Sequence, residues 1–126
     1  MREAIKSYRQ LHVYQNARAA ANEIFSLSGG FPKEERYSLT DQMRRSSRSV
    51  CANLAESWSK RRYRAAFIAK LCDAQGEAYE TQVWIHFARD CGYIENEKAT
   101  QLEGLYEIVL AQIITMIHQS SDWLII

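Results

Sequence analysis

The sequence predicts an all-α protein, an antiparallel up-and-down four-helix bundle. Three observations carry that prediction. Apolar residues recur every three or four positions in four long stretches, the period of a buried helix face. One proline and five glycines in 126 residues leave little punctuation for a β-rich fold. No stretch alternates apolar and polar residues as a half-buried strand does. Residues 11–126 read as one bundle domain, preceded by an N-terminal arm, residues 1–10, that is only partly ordered.

The first helix is expected from Leu11 to Ser28. Leu11, Val13, Tyr14, Ala17, Ala20, Ala21, Ile24, Phe25 and Leu27 make its broad apolar band, and Gly29-Gly30 ends it through glycine's tolerance of the left-handed conformation. Phe31-Pro32 restarts the chain in a short turn, with Glu34 and Glu35 suited to the positive end of a helix dipole.

The second helix is expected from about Ser38 to Ser59. At 100° per residue, Leu39, Met43, Ser47, Val50, Leu54 and Trp58 share one side. Arg44, Arg48, Ala52 and Ala55 lie roughly opposite, with Arg45 at their edge, and Gln42, Ser49, Asn53 and Glu56 line the seam between.

Lys60 to Arg64 forms a basic connection to a third helix, Arg64 to Cys91, whose apolar set runs from Phe67 through Leu71, Tyr79 and Val83 to Phe87. Gly76 inside it costs roughly 1 kcal/mol relative to alanine, so a close helix approach or a bend is expected there. Gly92-Tyr93-Ile94 closes that helix. The fourth, Glu95 to about Ser121, has too wide an apolar set (Leu102 to Ile117) for one stripe, which points to contact with another subunit.

Charge is segregated behind a net value of +1. Residues 36–64 hold eight Lys/Arg against two Asp/Glu, a local +6, and residues 65–126 hold three against nine, a local −6. Such a split draws a polyanion to one surface or lets one copy dock on another. No charged-then-apolar leader and no bilayer-length apolar run is visible, and three widely spaced cysteines read as reduced, buried structural thiols. The expected compartment is the cytoplasm.

Chemistry-bearing patterns are sparse. The cysteines lack the paired spacing of zinc ligands, and His12, His86 and His118 form no HxxxH or Glu-x-x-His pattern, so no metal is expected and the histidines read as surface or boundary residues. No phosphate-cradling glycine loop or nucleophile elbow is present, so neither a cofactor nor an enzyme is expected. Glu56 and Glu80 read as parts of a structural polar network with Gln42, Ser49 and Asn53, in which Arg45 neutralises Glu56. The functional candidates are Arg44, Arg45 and Arg48, with Arg61, Arg62 and Arg64 beyond the helix: guanidinium groups grip phosphate oxygens, and Tyr63 could stack on an unpaired base.

Six motifs carry a family resemblance over nearly the whole chain. They are Leu11-His12-Val13-Tyr14-Gln15-Asn16-Ala17, the run Phe31 to Leu39, the run Gln42 to Val50, Asn53-Leu54-Ala55-Glu56, Ala74-Gln75-Gly76-Glu77-Ala78-Tyr79-Glu80, and Cys91-Gly92-Tyr93-Ile94. With them the chain resembles the bacterial four-helix-bundle proteins encoded in intervening sequences of 23S ribosomal RNA genes, and their relatives, the accessory variability proteins of diversity-generating retroelements. The resemblance implies a homopentameric ring. Through the retroelement relatives it also implies nucleic-acid binding and association with a reverse transcriptase. Ser57 stands where that family usually has glycine, and Glu77 where it usually has serine.

The resulting expectation is a non-enzymatic oligomeric scaffold, associated with RNA or other nucleic acid through Arg44, Arg45 and Arg48 with the later arginines assisting. The alternative is a protein-interaction module, for example a reverse-transcriptase partner, using the same face without nucleic acid.

Overall fold

The four apolar stripes become four helices. The computed structural model describes residues 4–125, with α1 at His12–Ser28, α2 at Leu39–Ser59, α3 at Arg64–Asp90 and α4 at Asn96–His118. Short 3-10 turns stand at Tyr8–Gln10, Lys33–Glu35 and Ser120–Asp122. Residues 1–3 of the expected arm and residue 126 of the expected domain lie outside the described residues. Each helix packs on its neighbours in sequence, and α1 closes on α4.

Polar contacts across the helix pairs record the antiparallel register. Early α1 meets late α4 where Asn16 Nδ2 donates to Gln112 Oε1 (3.0 Å), and late α1 meets early α4 where Lys98 Nζ stands 2.7 Å from Glu23 Oε1. Between α2 and α3, Lys70 Nζ reaches Glu56 Oε2 at 2.9 Å. Between α3 and α4, Gln82 Nε2 donates to Glu107 Oε1 at 2.9 Å.

Inside, small and large side chains alternate. Ala17, Ala20, Ala74, Ala78, Ala88 and Ala99 are fully buried and let helices approach, while Phe67, Leu71, Leu54, Ile85, Leu102 and Tyr106 fill the space between. One buried polar pair crosses this core: the Thr81 hydroxyl hydrogen-bonds Ser46 Oγ at 2.8 Å and the Glu77 carbonyl at 2.8 Å. Thr81→Val is expected to lower unfolding free energy by about 1 kcal/mol, because it strips Ser46 of its good partner. Adding Ser46→Ala should restore most of the loss, since neither polar group then remains to be buried unpaired. Urea titrations of the two singles and the double check this, and additive losses would reject the pairing.

Several expectations change. Gly29 has a right-handed φ of −62°, so α1 does not end on a left-handed glycine; the positive φ belongs to Gly92 at 76°. There the Tyr93 N–H donates to the Ala88 carbonyl and the Gly92 N–H to the Arg89 carbonyl, both at 2.9 Å, the paired closure that a left-handed glycine permits. A Cβ on Gly76 would meet nothing within 4 Å among the described residues, and α3 runs unbroken past it, so Gly76 lies on an open side of the helix. The thiols are not buried as a set: Cys72 and Cys91 are exposed and Cys51 is half-buried, because α3 and its end turn those positions outward. Burial pushes the Cys51 thiol up to about 11, which leaves it protonated and unreactive near neutral pH.

The unpartnered apolar surface also moves. On α4 most of the wide apolar set is buried and Ile108 is the large exposed residue, whereas α3 leaves Tyr79, Val83 and Phe87 about half exposed at successive turns. These three share the open side with Gly76 and Cys72 by their spacing. No helix of the described residues is long and apolar enough to cross a membrane.

Candidate functional site

The six arginines separate into two clusters and two kinds of work. From Arg48 to Lys60 is twelve residues of helix, so about 18 Å of axial rise parts the clusters. The structure does not merge them into one patch.

In the first cluster, Arg44 is tied into the fold. Its Nε donates to Ser28 Oγ at 2.8 Å and its Nη2 to the Phe25 carbonyl at 3.1 Å, with the guanidinium 4.4 Å from the Phe25 ring centroid. It thereby caps the C-terminal end of α1, where carbonyls lack helical donors and positive charge is favoured. Arg48 leans on the same ring from 5.5 Å and remains exposed. Arg45 is exposed and reaches Asp41 one turn back at 3.8 Å, a long, weak pair. Arg45 therefore does not neutralise Glu56, which is occupied by Lys70.

In the second cluster, Arg61 is likewise structural. Its guanidinium lies 3.4 Å from the Trp58 ring centroid and its Nε donates to the Trp58 carbonyl at 2.9 Å. Arg62, Tyr63 and Arg64 point to solvent, as does Lys60. The phosphate-binding candidates that remain exposed are Arg45, Arg48, Arg62 and Arg64. Sequence periodicity did not reveal which guanidiniums were tied, because the partners of Arg44 lie sixteen and nineteen residues away on another helix.

The expected polar network of Gln42, Ser49, Asn53, Glu56 and Glu80 is not assembled as one unit among the described residues. Asn53 Nδ2 donates to the Ser49 carbonyl (3.0 Å) and to Ser49 Oγ (3.2 Å) within its own helix. Gln42 and Glu56 are exposed, and Glu80 on α3 accepts from Trp84 Nε1 at 3.1 Å. The hydrogen bond from Lys70 to Glu56 raises the lysine's affinity for its proton, and the pair lies at the surface. The buried pair that crosses α2 and α3 is Ser46–Thr81. Its signal was available: Ser46 sits at core spacing between Met43 and Val50, and Thr81 between Ala78 and Ile85.

At the far end of α2, Tyr93 OH donates to Glu35 Oε2 at 2.9 Å while Ser38 Oγ donates to Glu35 Oε1 at 2.6 Å. The two donors hold the Glu35 carboxyl below its ordinary range, Ser38 first, and the bond to Glu35 pushes the Tyr93 phenol up to about 12. His86 Nε2 lies 2.6 Å from Glu103 Oε1 on the α3–α4 surface, and His12 and His118 are exposed. No group of three His, Cys, Asp or Glu side chains among the described residues is placed to hold a metal ion.

Beyond the chain itself, the fold has a solved counterpart. A crystal structure of a protein of unknown function from the S23 ribosomal protein family of Bacteroides thetaiotaomicron superposes with a TM-score of 0.75 at 26% identity, covering 84% of this chain and 95% of that one. No curated protein matches the sequence. The sequence profile described as 23S rRNA-intervening sequence protein matches residues 9–115, the span that holds all four helices except the end of α4. With that match and the shared bundle together, the chain belongs to the 23S rRNA-intervening sequence protein family.

Proposed function

We propose that the protein is a non-catalytic helical scaffold, assembled from several copies of itself, that holds nucleic acid across the two basic clusters of segment 36–64. The observation that carries this reading is where the ion pairs fall. In the acidic half, Lys70, Arg89 and Lys98 each pair with a carboxylate. Among the eight cations of segment 36–64, Arg45 alone has a carboxylate within 4 Å among the described residues. A surface that leaves its cations unneutralised attracts a polyanion and releases counterions when it binds. Three free thiols, two of them exposed, fit work in a reducing cytoplasm.

The test is fluorescence anisotropy with labelled RNA across a salt series, with the oligomer monitored in the same buffers. Four engaged cations give a log–log salt slope of roughly −3 for a single strand. Arg62→Glu/Arg64→Glu and Arg45→Glu/Arg48→Glu should each reduce affinity at least tenfold and flatten the slope while helicity stays intact. An intact oligomer that binds no RNA at low salt rejects the reading.

A second reading rests on the outward face of α3. Tyr79, Val83 and Phe87 are unpartnered there, and Asp73, Glu77 and Glu80 crowd one edge. Burial, then the neighbouring Glu80 and Asp73 charges, raise the Glu77 carboxyl above its ordinary range. An acid-edged apolar face complements the cationic α2 surface of a second copy, the head-to-tail contact that builds a ring. Five copies is the ring size that the resemblance implies. A protein partner such as a reverse transcriptase would engage the same arginines. In either case Arg45→Glu/Arg48→Glu removes the assembly or the partner and leaves RNA affinity unchanged.

A further inference from the structure

The corner between α2 and α3 is built more rigidly than a basic loop needs to be. The Arg61 guanidinium sits over the Trp58 ring, Trp123 meets Trp58 edge-on at 6.5 Å, and the Ile125 N–H donates to the Arg61 carbonyl at 3.0 Å. The C-terminal segment thus straps the corner from below. Within the turn, the Lys60 N–H donates to the Ser57 carbonyl at 3.0 Å and the Tyr63 N–H to the Lys60 carbonyl at 3.1 Å. With Arg61 turned inward, Lys60, Arg62, Tyr63 and Arg64 are all turned out.

Tyr63 is 70% exposed, and no aromatic side chain among the described residues stacks on it. Its three cationic neighbours have no carboxylate within 4 Å among the described residues, Asp122 of the strap included. The contrast with Tyr37 is instructive. That tyrosine is more exposed, at 86%, and follows Arg36, yet Glu34 and Glu35 precede it and cancel the field.

We propose that this corner is a subsite for an unpaired nucleotide of single-stranded nucleic acid. Tyr63 stacks on the base, and Lys60, Arg62 and Arg64 hold the flanking phosphates. A base inside a duplex has both faces covered, so an isolated exposed tyrosine gains its stacking contact only from a single strand. The strap fixes the backbone beforehand, which lowers the ordering cost of binding. This subsite rests on the nucleic-acid reading above and narrows it to strand type and contact.

The experiment uses the full chain with three labelled probes: an eight-nucleotide oligo-uridine, the matching oligo-thymidine, and a blunt RNA duplex. Tyr63→Leu is expected to weaken both single strands about tenfold. The salt slope and duplex affinity should not change, Tyr63→Trp should retain binding, and Tyr37→Leu should have no effect. Equal losses on the RNA and DNA strands support stacking, which ignores the sugar. If Tyr63→Leu binds like the parent while Arg62→Glu/Arg64→Glu abolishes binding, the subsite is overturned and the broader reading stands. If the parent binds no probe at low salt, both are overturned.

Discussion

Val83→Asp/Phe87→Asp is expected to yield a folded monomer of 14.6 kDa, the self-docking proposed for α3 being lost. Val83 is 45% and Phe87 51% exposed in the single chain, so neither contributes much to the core, and charging them should leave far-UV helicity and thermal stability nearly unchanged. In an assembly the apolar centre that these residues form would be desolvated against a neighbour, and two carboxylates placed inside it cost several kcal/mol. The acid already on α3 sharpens the effect, since Glu80 precedes Val83 by one turn. Light scattering coupled to size exclusion, at several loading concentrations, reads the outcome. A parent protein that already runs at monomer mass at every concentration would sink the self-docking role of α3.

Gly76 supports that placement from another direction. Glycine inside a helix costs roughly 1 kcal/mol relative to alanine. No atom of the described residues lies within 4 Å of its Cβ position, so packing among them does not offset the cost. A backbone that must be approached closely by a second copy would. From sequence alone, the wider apolar set of α4 points to an unpartnered surface on that helix. The bundle buries that set and leaves α3 open, a difference decided by which helix lies beside which, not by periodicity.

Helix existence and boundaries were readable because they depend on local rules: apolar spacing, glycine and proline placement, and dipole-complementing charge. The buried Ser46–Thr81 pair was readable in principle, as two polar residues at core spacing on adjacent helices. The division of the arginines was not. Arg44, Arg45 and Arg48 look alike in sequence, and only the position of α1 ties the first to Phe25 and Ser28. Arg61 parted from Arg62 and Arg64 for the same reason, through Trp58 one turn earlier and the C-terminal strap from the other end of the chain.

That division makes the second large prediction. Arg44→Ala is expected to destabilise the fold by about 2 kcal/mol, the loss of two charge-assisted hydrogen bonds and a ring contact, discounted for partial exposure. For a domain of this size the melting temperature should fall by roughly 8 °C. Arg48→Ala loses only a distant ring contact and should cost less than about 0.5 kcal/mol. Lysine is a poor replacement at position 44: an ammonium on a flexible stem does not present the guanidinium fork that spans Ser28 Oγ and the Phe25 carbonyl while covering the ring. Arg44→Lys should therefore recover less than half of the lost stability. Differential scanning calorimetry on the three variants, beside RNA titrations of the same samples at a temperature where all are folded, separates tie from ligand. Should Arg44→Ala melt like the parent and lose RNA affinity as Arg48→Ala does, Arg44 would be a phosphate ligand and its contacts with α1 incidental. The opposite pattern, lost stability with retained affinity per folded molecule, would make it the residue that holds α1 against α2 and leaves Arg45 and Arg48 facing outward.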